Sequence, residues 1–112
     1  MQKFSLSALA REQLDRARAS SSGRSAATAY GGHEHVLRQT LIAIVAGRRL
    51  DEHANPGEAT VHVLQGRVRL KAGDNAWNGS PGDLLIVPDL PHSLEAIDDS
   101  VVLLTVAKTN AS

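Results

Sequence analysis

The chain has 112 residues, 42% of them apolar and 3% aromatic, and its twelve Lys and Arg balance twelve Asp and Glu. That length supports one domain with one core rather than two. The absence of cysteine excludes disulfides and thiolate metal sites, and no apolar run approaches the ~20 residues of a membrane helix. The opening MQKFSLSALAREQLDRARASSSG lacks the uninterrupted apolar stretch of a secretory signal, so a soluble cytoplasmic protein is expected. Charge is uneven along the chain: residues 1–49 hold eight basic against three acidic groups, and residues 50–112 hold four against nine. Two explanations stay open, a basic arm docked on an acidic body and an ordinary solvated surface. The basic residues are scattered and have no interleaved aromatics, which argues against a nucleic-acid partner.

In chain order, residues 7–19 read as an amphipathic helix, with Leu6, Leu9, Leu14 and Ala17 near one stripe and Ser5 or Ser7 as its cap. So short a helix is marginal unless it packs on something. Residues 20–23, SSSG, read as a flexible linker, which divides the chain into a helical arm over 1–24 and a body over 25–112. From there the period is that of strands. SAATAY (25–30) and VLRQTLIAIV (36–45) are separated by Gly31-Gly32, and TVHVL (60–64), RVRLKA (67–72), DLLIVP (83–88), HSLEAI (92–97) and VVLLTVA (101–107) follow. Between them lie the turn signals Gly47, Asn55-Pro56-Gly57, Gly66, Gly73-Asp74-Asn75, Asn78-Gly79, Pro81-Gly82 and Asp98-Asp99. Many short strands with almost no helix between them predict an antiparallel sandwich or barrel.

The order of features then becomes specific. Gly47 precedes His53, the segment VHVLQG ends at Gly66, and PGDLLIVP (81–88) is followed closely by His92. GDLLIVPDLPHS resembles the second motif of the cupin superfamily, and the end of VHVLQG resembles the close of its first; the likeness covers roughly residues 38–107. It implies an all-β fold, the antiparallel double-stranded β-helix (jelly-roll or cupin barrel), here with a short N-terminal helix. In metal-binding cupins it further implies three histidines and a glutamate around a metal with open positions. Here His53 stands at the first histidine and His92 at the last, whereas Asn55 stands where the second histidine would be and Ala59 where the glutamate would be. The loop Pro88-Asp89-Leu90-Pro91 lacks the glycine usual in that turn. His53, His92 and Asn55 are therefore the metal-ligand candidates. The resemblance leaves open a divalent transition metal (Zn, Ni, Fe or Mn) or a metal-free barrel.

Neighbouring side chains do not readily replace the missing ligands. Glu58 and His62 are odd separations from Ala59, so in a regular strand both face away from it. His33-Glu34-His35 puts two imidazoles on one face only if extended, and supplies two ligands at most. Of Arg38 and Gln39, alternation sends one toward the barrel mouth. Trp77 is expected to line a pocket or to anchor a rim or interface, and Asp83 to make turn hydrogen bonds. The functional expectation is a small cupin-domain protein that binds a small molecule in the barrel, with or without a divalent metal. The alternative is a metal-dependent enzyme of dioxygenase or isomerase type anchored by His53 and His92. A ligand-sensing regulator is disfavoured, because a single helix is no helix-turn-helix. A homodimer burying outward apolar residues of 36–45 or 101–107 is expected from the fold class.

Overall fold

The computed structural model describes residues 2–53 and 57–108, with the side chains of Glu52 and His53 outside that description. The helix α1 spans Leu6–Ala19. Ser5 is the cap: its Oγ accepts from the Ala8 amide at 3.2 Å, and Arg16 and Arg18 sit in the last turn, where cations complement the helix dipole. The strands are β1 (Arg24–Gly31), β2 (Leu37–Ile44), β3 (Arg49–His53), β4 (Gly57–Gln65), β5 (Val68–Ala72), β6 (Asn75–Gly79), β7 (Leu84–Ile86), β8 (His92–Ala96) and β9 (Ser100–Lys108). They form two antiparallel sheets, ordered β1-β2-β9-β4-β7 and β3-β8-β5-β6. After the β1–β2 hairpin the chain passes back and forth between the two, as in a jelly roll.

Two strands in the predicted series are new. β3, RLDEH, is an edge strand with one apolar residue, and β6, NAWNG, is an edge strand built largely from what read as turn residues. Edge strands pair on one side only, so the alternation that marks buried strands is weak in both.

The apolar residues divide into two layers. Ile42, Ile44, Ala59, Val61, Val63, Val68, Leu70, Val87, Leu94, Ala96, Val102 and Val106 pack between the sheets. Leu41, Ala43, Val101 and Leu103 point to the other side of the five-stranded sheet, where Ala10, Leu14 and Ala17 of α1 cover them. β2 and β9 are thus buried on both faces, which is why VLRQTLIAIV and VVLLTVA are nearly continuous apolar runs. The outward residues expected at a dimer interface are in part already covered by the chain's own helix.

Residues 20–23 do not form a slack tether. The Ser20 and Ser22 hydroxyls are 2.9 Å apart, the Gly23 amide donates to the Ser20 carbonyl at 3.1 Å, and the Val45 amide donates to the Gly23 carbonyl at 2.8 Å. Gln13, buried in the helix, accepts from Ser25 Oγ of β1. Arg18 Nε donates to Asp99 at 3.1 Å, and the same carboxylate accepts from the Ala46 amide at 2.9 Å. Helix and body share one packed layer and a short polar seam.

Candidate ligand site at the open end of the barrel

One end of the sandwich is closed by backbone. At the turn from β2 to β3 the Gly47 amide donates to the Ala96 carbonyl, and the Ala96 amide to the Arg48 carbonyl, each at 2.9 Å. Arg24 Nη1 adds a bond to the Arg49 carbonyl at 3.0 Å. Four residues back from Ala96 along β8 is His92, about 13 Å toward the opposite end at a normal strand rise. Along β2, Thr40 lies four residues and Arg38 six residues from Ile44, so they belong to that same opposite end.

His92 is 6% exposed and shares its face with Leu94 and Ala96, both in the layer between the sheets. Its Nδ1 lies 3.0 Å from the Leu90 carbonyl oxygen. A carbonyl only accepts, so Nδ1 donates in this contact. The loop that departs from the usual cupin turn is what supplies this contact: the Leu90 amide turns back to the Pro88 carbonyl at 2.8 Å and aims the Leu90 carbonyl at the ring.

The backbone register pairs His53 with His92. One extra residue on β3 lies between that pair and the Leu50–Leu94 pair, and such a bulge resets the alternation of the strand. The His53 side chain, and Asn55 entirely, lie outside the described residues. Ala59 is described, and it is a core residue at 7% exposure with no donor atom to offer. Glu58 is exposed and His62 half-buried, both on the opposite face of β4 from Ala59, Val61 and Val63. Among the described residues no three of His, Cys, Asp and Glu come together in a way that would hold a metal ion.

β2 has no irregularity in its ladder with β9. Arg38 therefore shares a face with Ile42 and Ile44, toward the barrel interior, and its ladder partner Val106 is in the inner layer. Gln39 points the other way and donates to Thr105 Oγ1 at 3.3 Å on the outer face. The remaining candidates lie elsewhere. His33-Glu34-His35 is an exposed turn rather than an extended segment, and His35 packs tilted against the Tyr30 ring at 5.3 Å. Asp83 Oδ2 accepts from the Ser80 amide at 2.8 Å, a turn contact as expected. Trp77 is half-exposed on the edge strand β6, opposite the buried Leu70.

A two-sheet sandwich with a buried histidine at one end and a glycine-closed β4–β5 turn is the frame that the resemblance implied. A family model described as a cupin domain matches residues 40–107. The chain belongs to the cupin family. Among solved structures, this cupin is similar to a conserved protein of unknown function from Streptococcus pyogenes, at 24% identity and a TM-score of 0.72 over 82% of this chain and 80% of that one. It is also similar to a cupin superfamily protein from Desulfitobacterium hafniense, at 17% identity and a TM-score of 0.70 over 77% and 78%. An RmlC-like cupin from Desulfovibrio desulfuricans shares 26% identity, with a TM-score of 0.65 over 75% and 81%. Among curated proteins none matches the sequence. No helix of this cupin is long and apolar enough to cross a membrane, among the described residues.

The full four-ligand set of metal-binding cupins does not fit this chain. Ala59, which the resemblance sets at the glutamate position, packs in the inner layer and has only a methyl to offer. His92 is of the right residue type for one such ligand, and its Nδ1 contact with the Leu90 carbonyl orients the ring.

Proposed function

We propose that this cupin binds a small molecule at the open end of its barrel and that His92 is the polar anchor of that site. The observation that carries the reading is a buried imidazole, held by its Nδ1 contact to the Leu90 carbonyl, at the end of the sandwich opposite the backbone closure around Ala96. The inner layer that His92 faces is apolar and includes Leu94 and Ala96 on its own strand, a composition that suits a small-molecule site.

The register pairing of His53 with His92 favours one second reading. In it, His53 and His92, with Asn55, are the protein donors to a divalent transition metal. When bound, that metal would act as a Lewis acid toward a substrate oxygen. The same sample distinguishes the two. Untagged protein is dialysed against a metabolite extract and then analysed for retained compounds and for metals. Retention of an organic compound that His92→Ala loses, with metal well below stoichiometric, supports the first reading. About one equivalent of metal, lost in both His53→Ala and His92→Ala, replaces it with the second.

We further propose a homodimer and a cytoplasmic, soluble life for the protein. Support for the dimer is the part of the outer five-stranded face that α1 leaves bare, where Leu84 and Ile86 on the edge strand β7 are 57% and 69% exposed. Apolar side chains on a bare sheet edge are commonly covered by a partner.

A further inference from the structure

Building on the barrel-end site just proposed, we infer that its ligand carries a carboxylate and that Arg38 is the residue that binds it. Arg38 lies on the inner face of β2 and is half-buried beside Val106, which in turn pairs with Ala59; both are inner-layer residues. Lys108, the last described residue of β9, has the same parity as Val102, Leu104 and Val106 and is the diagonal neighbour of Arg38. Two cations therefore stand at one end of the apolar inner layer. Like charges so placed repel across a ladder unless an anion lies between them.

Among the described residues no counter-charge pairs with either. Among the described residues the Arg38 guanidinium has no ion pair or hydrogen bond, while the Lys108 ammonium donates to a neutral acceptor, the Gly32 carbonyl, at 2.7 Å. The described acids Glu34, Glu58 and Asp89 are all exposed and pair with neither cation. Glu58 lies on the outer face of β4, and Asp89 on the loop before His92. A half-buried guanidinium without a partner, opening onto apolar surface, is matched by a planar oxyanion attached to an aliphatic body. The fork of Arg38 takes the carboxylate, the aliphatic tail lies against the adjoining inner-layer residues Ala59 and Val106, and His92 belongs to the other sheet.

The test uses the full chain and defined probes. Backbone amide NMR spectra are recorded on titration with sodium butyrate, with butyramide, its uncharged counterpart, and with inorganic phosphate. Butyrate is expected to shift the amides of Arg38, Ala59, Val106 and His92 saturably and to bind at least about tenfold more tightly than butyramide, the usual worth of one charge-assisted hydrogen bond. Arg38→Gln should remove that preference, and Arg38→Lys should keep part of it. Equal binding of butyrate and butyramide, or an unchanged preference in Arg38→Gln, would overturn the carboxylate assignment but leave a barrel-end site standing. So would tighter binding of phosphate at the same amides. If none of the three probes moves those amides, the barrel-end site itself is wrong, and this inference falls with it.

Discussion

Gly66 illustrates how much a single position decides. It lies in the turn between β4 and β5 with φ of 78°, a region that L side chains enter at a cost. A Cβ there would stand 2.3 Å from both the Asp99 carbonyl oxygen and Ser100 Oγ. The Ser100 hydroxyl is fully buried and lies within hydrogen-bonding reach of the carbonyls of Asp98, at 2.7 Å, and Arg67, at 3.0 Å. The clash is therefore with fixed groups rather than a side chain that can swing away. Gly66→Ala is expected to lose at least about 3 kcal/mol, strain and clash together, read as a lower urea midpoint. A melting curve indistinguishable from wild type would contradict this account of the turn. This glycine, one of the sequence landmarks, thus serves the fold. The residue that serves the site, Arg38, gave only half a signal: alternation put either Arg38 or Gln39 inward, and only the unbroken register against β9 selects Arg38.

At the scale of elements, the attachment of α1 to the body turns on Asp99. Its carboxylate accepts from the Ala46 amide and from Arg18 Nε, and these two contacts, the amide first, hold its pKa below the ordinary carboxylate range. A depressed folded-state value means that the stabilisation is present above the unfolded pKa, near 4, and is lost as pH falls through the lower folded value. Asp99→Asn should therefore cost about 1 kcal/mol at neutral pH, discounted for a partly exposed pair. The gap from wild type should close toward pH 3. Thermal melts at several pH values measure this, and a gap that widens in acid would rule it out. Elements with a strong internal pattern were readable from sequence: α1, β5 with its alternating Val68, Leu70 and Ala72, and the two long apolar runs. β3 and β6 were not, because edge strands carry polar or turn-forming residues whose pairing is decided by neighbours distant in sequence. The flexible character assigned to SSSG also gave way, since tertiary hydrogen bonds to Val45 and within the segment fix it.

For the whole molecule, two ion pairs among the described residues join the basic and acidic halves of the chain, Arg18 with Asp99 at 3.1 Å and Arg49 with Asp51 at 3.6 Å, whereas Arg67 with Asp98 at 2.9 Å lies within the second half. Of the ion pairs among the described residues, only the first joins the helical arm to the body, so a basic arm on an acidic body describes one contact rather than an interface. The proposed dimer is expected to use apolar contacts. Ile86→Asp on β7 should shift the protein from a dimeric to a monomeric mass in light scattering, and an unchanged mass would exclude that face.

Because β2 and β9 carry side chains of both apolar layers, neither layer can melt while the other stays intact. Heating should give a single calorimetric peak whose van't Hoff and calorimetric enthalpies coincide. Amide protons of those two strands should be among the last to exchange with deuterated solvent.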